Sequence, residues 1–173
     1  MLAPPGVAFT GYVDVATALS NWAGCGSCPA LAGTPLLSLG GGTAPGTFSV
    51  AALSALVADG GGLDLVVGAG YGGVVFDVEA LEATDSGAAL VSAFNAAFAA
   101  CHAKGLKVVV TTSHSGPYSA GSAQVSVDLV ASWCAEGADV DEVSPQLYSS
   151  GTEASPDFDE TYFCGSAGCT WEQ

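Results

Sequence analysis

The chain has 173 residues, half of them hydrophobic, with 17 acidic against 2 basic side chains and a formal net charge of −15. That length and apolar content support one sizeable core and exclude a disordered chain. The acidity argues against nucleic acid or an anionic membrane surface as a partner, and no apolar run of about eighteen residues offers a membrane span.

Residues 1–6 carry neither a basic region nor an apolar one, so no secretory signal is visible. Residues 7–13 alternate enough for a first strand. Residues 14–22 read as a short helix capped by Asp14. Residues 24–35, rich in Cys, Gly and Pro, are a loop. Residues 36–40 form a short apolar strand that runs into Gly40, Gly41 and Gly42. Glycines there let the backbone approach something closely. No GK[ST] follows, so a phosphate cradle is not the preferred reading. Residues 48–59 read as a helix with Val50, Leu53, Leu56 and Val57 on one face. Residues 63–67 are apolar and read as extended, either a separate strand or the lead-in to the next.

Residues 72–79, Gly-Gly-Val-Val-Phe-Asp-Val-Glu, are rich in strand-forming types. Alternation places Asp77 and Glu79 on one face. Two carboxylates on one face are costly unless one keeps a proton, and such an unequal pair is what acid catalysis uses at neutral pH. The plainer reading is a solvent-facing edge or a helix cap. A helix over 86–104 follows, striped by Leu90, Phe94, Phe98 and Cys101 and closed by Gly105. Residues 106–112 form the next strand, and 122–136 the next helix, with Val125, Leu129, Val130 and Trp133 inward and Gly137 at its end. Residues 141–148 form the last clear strand. The chain divides into an α/β domain, 1–148, and a Cys-containing acidic tail, 149–173, that packs on it or leads into further barrel strands.

Six cysteines are an even number. A zinc site and a disulfide framework both fit Cys25-Gly-Ser-Cys28 and the pair Cys164 and Cys169. Disulfides are preferred, as two short loops, Cys25–Cys28 and Cys164–Cys169. A thioredoxin-like role would need a helix starting at Cys25. Cys101 and Cys134, late in neighbouring helices, form a third pair or stay as two buried thiols. This places the protein outside the cell or in another oxidising compartment.

Strands near Leu37, Val75, Val109 and Val143 recur about every 35 residues, with a helix between each pair. The expected class is α/β with parallel strands and crossover helices. A closed (β/α)8 TIM-type barrel usually needs about 250 residues, so the expectation is an incomplete barrel or an open sheet. Function then sits at the carboxyl ends of the strands. Those ends collect Ser38 with Gly40 and Gly41, Asp77 with Glu79, residues 111–114, and Gln146 with Tyr148. A metal-dependent reading using His114 with the two acids is weaker, since a lone His in a polar loop is more often solvated. No cofactor or metal is expected. His102 reads as a surface residue.

These residues resemble a known family. Ser38-Leu39-Gly40-Gly41 is similar to the SxGG motif of family 18 glycoside hydrolases, the chitinases and chitinase-like proteins. Gly73 to Glu79 is similar to their DxxDxDxE signature, and Ser144-Pro145-Gln146-Leu147-Tyr148 to a segment carrying a substrate-facing Tyr. The resemblance covers about residues 36–148 and implies a (β/α)8 barrel acting on β-1,4-linked N-acetylglucosamine polymers, without a cofactor. It implies a substrate-assisted mechanism, an exception to the two-carboxylate scheme. Glu79 would be the general acid. Asp77 and Tyr148 would hold the substrate's acetamido group, and Gln146, Ser38, Gly40 and Gly41 would line the site. The chain departs from the signature at Gly72 and Val75, where the family has acids. The alternative is a non-catalytic lectin, or an assembly subunit whose open sheet edge is covered by a protein partner.

Overall fold

The structure is a computed structural model and describes residues 14–29, 32–41, 47–112 and 122–146. The expected strand over 7–13, Gly42, His114, Tyr148 and the tail with Cys164 and Cys169 lie outside the described residues. Among the described residues nine elements follow one another: α1 (Thr17–Ala23), β1 (Leu36–Gly40), α2 (Val50–Val57), α3 (Gly62–Gly68), β2 (Gly73–Asp77), α4 (Gly87–Ala103), β3 (Lys107–Thr112), α5 (Ala123–Trp133) and β4 (Glu142–Pro145). The four strands form one sheet in the order β1-β2-β3-β4, and every pair is parallel. The fold is therefore α/β.

Strands laid down consecutively with right-handed crossovers put their helices on a single face. That face carries Leu39, Val74, Phe76, Val78, Val108 and Val110, all buried. They pack against Leu53, Leu90, Phe94, Phe98, Leu129 and Trp133 from the helices. Aromatic rings form the centre: Phe76 meets Phe98 at 5.0 Å and Phe94 at 6.3 Å, and Phe94 meets Phe48 at 5.6 Å and Trp133 at 5.3 Å. Edge and tilted contacts of this kind add to the burial of the rings. On the opposite face of the sheet, Val75, Asp77, Thr111 and Ser144 are only half-buried and Ser38 is exposed.

Local chemistry starts the helices where the sequence does. Ser49, Ser86 and Ser122 are extended N-caps whose hydroxyls accept from the amides of Ala52, Ala89 and Val125. Asp14 accepts from the Thr17 amide at 2.8 Å, although the regular helix begins only at Thr17. Among the described residues no single helix is long and apolar enough to cross a membrane.

Two expectations need correction. Residues 63–67 are not extended but lie in α3. Leu63 and Val66, three apart, are fully buried, while Leu65 and Val67 are exposed, which is the spacing of a helix and not of a strand. Asp64 in the first turn accepts from the Gly60 amide at 2.7 Å and supports the start. The second correction concerns Cys101 and Cys134, which are both free thiols. Trp133 turns inward to the core, so the next residue, about a quarter-turn further round the helix, faces outward. Cys101 lies in the core, where burial pushes its thiol up to about 12. The Cys25–Cys28 disulfide is present, with Cα atoms 5.3 Å apart, a separation that bridging accepts. It follows the end of α1, so the helix a thioredoxin-like motif would need does not start at Cys25. The disulfide is compatible with an oxidising compartment.

His102 is a surface residue, as expected, and it is paired there. Its Nε2 pairs with Asp141 at 3.0 Å and its Nδ1 with Asp139 at 3.3 Å. These contacts tie the end of α4 to the segment before β4. Lys107 pairs nearby with Glu142 at 3.0 Å, and Lys104 with Asp64 at 2.5 Å. Hydrogen bonding to Asp141 holds the imidazole above its ordinary value against the opposing effect of burial, with Asp139 adding to the rise. Asp141 is held below the usual carboxylate range, first by the Val108 amide and then by His102. For a raised His the contribution is complete below the unfolded value of about 6.5 and is lost as pH rises through the folded value. Resistance of the wild type to urea is therefore expected to fall as pH rises above about 6.5, and His102→Gln to flatten that fall. Partial exposure keeps the effect small. Parallel pH curves for the two proteins would remove the bridge from this role.

Candidate functional site

The strand register assembles the site. Gly40 pairs with Asp77, Asp77 with Thr111, and Thr111 with Ser144. Paired residues of a parallel sheet point to the same face, so this row crosses all four strands near their carboxyl ends. Asp77 is the hub. Its Oδ1 accepts from Thr111 Oγ1 at 2.5 Å and from Gln146 Nε2 at 2.8 Å. The same Gln146 amide reaches Glu79 Oε1 at 3.4 Å and Thr111 Oγ1 at 3.5 Å. Gln146 stands just past β4 and Glu79 just past β2, so one amide links residues 67 positions apart. Asp77, Glu79, Thr111 and Gln146 are all half-buried. A carboxylate that accepts two side-chain donors on one oxygen is fixed in orientation.

The glycines allow this closeness. Gly40 and Gly41 have φ values of 94° and 95°, a region that favours glycine. A Cβ on Gly40 would lie 2.2 Å from the Asp77 backbone oxygen and 2.6 Å from Phe48 Cε2. A Cβ on Gly41 would lie 3.0 Å from Asp77 Oδ2, and the Gly41 amide donates to the Asp77 carbonyl at 2.9 Å. The close approach expected of this glycine run is therefore made, and what it approaches is Asp77.

The structure thus brings together Gly40, Gly41, Asp77, Glu79 and Gln146 from the residues singled out by sequence. Ser38 is exposed and lies one row back, opposite Val75. Tyr148 and His114 are outside the described residues. Among the described residues no group of three or more His, Cys, Asp or Glu is placed to hold a metal ion. Thr111 belonged to the expected strand-end set without a role; its bond to Asp77 follows from register between strands 34 residues apart. Gly72 and Val75 explain themselves differently. A Cβ on Gly72 would come within 2.0 Å of Thr34 Cγ2, so an acid there would displace that neighbour. Val75 is half-buried in the row of Ser38 and Val109 and brings no polar atom toward Asp77.

In chemical terms the site is two carboxyl groups on one strand end, joined by an amide, with a hydroxyl on one of them. It suits a neutral, hydrogen-bonding ligand better than an anion. Compared with known proteins, the chain matches no family model, no curated protein and no solved structure.

Proposed function

We propose that the protein acts on or binds β-1,4-linked N-acetylglucosamine polymers, as the resemblance of its motifs to family 18 glycoside hydrolases implies. The observation that carries this reading is the Gln146 amide shared by Asp77 and Glu79, at 2.8 and 3.4 Å. It makes the two acids one constellation at the strand ends, where α/β proteins place their sites. The sheet is taken as part of a (β/α)8-type barrel. Consecutive strand order with helices on one face supports this, since a parallel sheet is ordinarily covered on both faces. The Cys25–Cys28 disulfide supports an extracellular or other oxidising location.

In the mechanism, Glu79 donates its proton to the glycosidic oxygen as the bond from that oxygen to the anomeric carbon breaks. The substrate's acetamido oxygen attacks the anomeric carbon and forms a cyclic oxazolinium. Asp77 orients the acetamido N–H and balances the positive charge. Water then opens the ring at the anomeric carbon, returning its proton to Glu79.

The test is turnover of a fluorogenic N-acetylglucosamine oligomer by the full chain, with binding of the unlabelled oligomer measured in parallel. Turnover is the expected result. Saturable binding without turnover would indicate the lectin reading, which Val75, standing where the family has an acid, favours. Neither binding nor turnover would sink the carbohydrate reading altogether.

A further inference from the structure

We propose that Thr111 is the positioning residue that aims Asp77, an inference that rests on the reading of Asp77 as the group facing the substrate's acetamido. Three observations lead to it. Thr111 is registered directly opposite Asp77 on the neighbouring strand, so its hydroxyl reaches the carboxylate sideways along the row. Its Oγ1 donates to Asp77 Oδ1, the same oxygen that takes the Gln146 amide at 2.8 Å. Gln146 also spans to Glu79, whereas the Thr111 hydroxyl meets Asp77 and Gln146.

The effect is to divide the two oxygens of Asp77. Oδ1 is tied to β3 and β4 by the hydroxyl and the amide. Oδ2 lies on the other side, beside Gly41, where a Cβ would sit 3.0 Å from it. The missing side chain of Gly41 keeps that approach open. Oδ2 is therefore the oxygen offered to the acetamido N–H, and Thr111 keeps it there. Val75, the residue before Asp77 on this strand face, has no polar atom with which to do so. Once the hydroxyl is removed, Asp77 keeps a single side-chain donor among the described residues, one it shares with Glu79, and its carboxylate is freer to rotate about its side-chain bonds.

The test compares Thr111→Val, which is isosteric, with Thr111→Ser, which keeps the hydroxyl. In the full chain, with the fluorogenic N-acetylglucosamine oligomer, Thr111→Val is expected to lower kcat by about 10-fold or more with KM little changed. Thr111→Ser is expected to recover most of it. Wild-type kcat in Thr111→Val, or equal losses in the two variants, overturns the inference. If the wild type itself turns over no oligomer, the functional reading fails and the positioning is decided by NMR. A slowly exchanging Thr111 hydroxyl proton is expected in the wild type and lost in Asp77→Ala; its absence from the wild type overturns the positioning role on its own terms.

Discussion

Gly40→Ala is expected to destabilise the protein by about 3 kcal/mol or more, a size that marks a specific structural cause. Two effects add at this position. The backbone has φ of 94°, and an L side chain in such a conformation costs about 1–2 kcal/mol. The added Cβ would also overlap the Asp77 backbone oxygen at 2.2 Å and the Phe48 ring at 2.6 Å. Neither neighbour yields easily. The oxygen belongs to the central strand and accepts from the Gly41 amide, and Phe48 packs on both Phe76 and Phe94. Gly70→Ala is the comparison. Gly70 has a φ of 90°, but its Cβ would meet nothing within 4 Å, so only the conformational part is lost. Urea unfolding of both variants separates the overlap from the dihedral. Equal losses would show that the close approach of β1 to Asp77 carries no weight of its own.

Glu79→Gln is expected to reduce cleavage of a sugar leaving group by about 10²–10⁴-fold, the usual contribution of a general acid. Gln keeps the size of the side chain and can still meet the Gln146 amide, now at 3.4 Å from Oε1, so fold and oligomer binding are expected to persist. The chemistry offers an internal control. A good leaving group such as a phenolate departs with little protonation, so the loss on an aryl glycoside is expected to be much smaller than on the oligosaccharide. A variant as active as the wild type on sugar leaving groups would strip Glu79 of the acid role. Equal losses on both leaving groups would point to damaged binding instead.

Much of the scaffold could be read from the chain because its signals are local. β2 is a short β-branched and aromatic run preceded by two glycines, and Val74, Phe76 and, just past its end, Val78 are buried as alternation requires. α4 carries its stripe at helical spacing and its serine cap at the expected place. The 63–67 segment was not legible in the same way. A five-residue run, apolar except for Asp64 and flanked by glycines, fits either state, and only the exposure of Leu65 and Val67 separates them. Cys101 and Cys134 were judged by their place along two helices, whereas pairing depends on rotation about each axis. The acid pair was visible from alternation alone. Its partners were not, because the bonds from Thr111 and Gln146 depend on lateral register across three strands, which no local pattern encodes. The exposure of His102 is legible, but its pairing is not, for a related reason: its two aspartates lie 37 and 39 residues away.

The loops that leave β1 and β2 are sewn to each other. The Phe48 amide donates to the Ala80 carbonyl at 2.9 Å, the Glu82 amide returns to the Phe48 carbonyl at 2.8 Å, and Asp85 Oδ2 accepts from the first amide of α2 at 2.8 Å. Pulling the two loops apart breaks all three bonds together. The segment that follows Glu79 and the entry to α2 therefore share one frame of three hydrogen bonds on this side of the strand ends. Position of the Glu79 carboxyl group relative to the first helix pair is held mechanically by Phe48 and Asp85, neither of which belongs to the polar row itself.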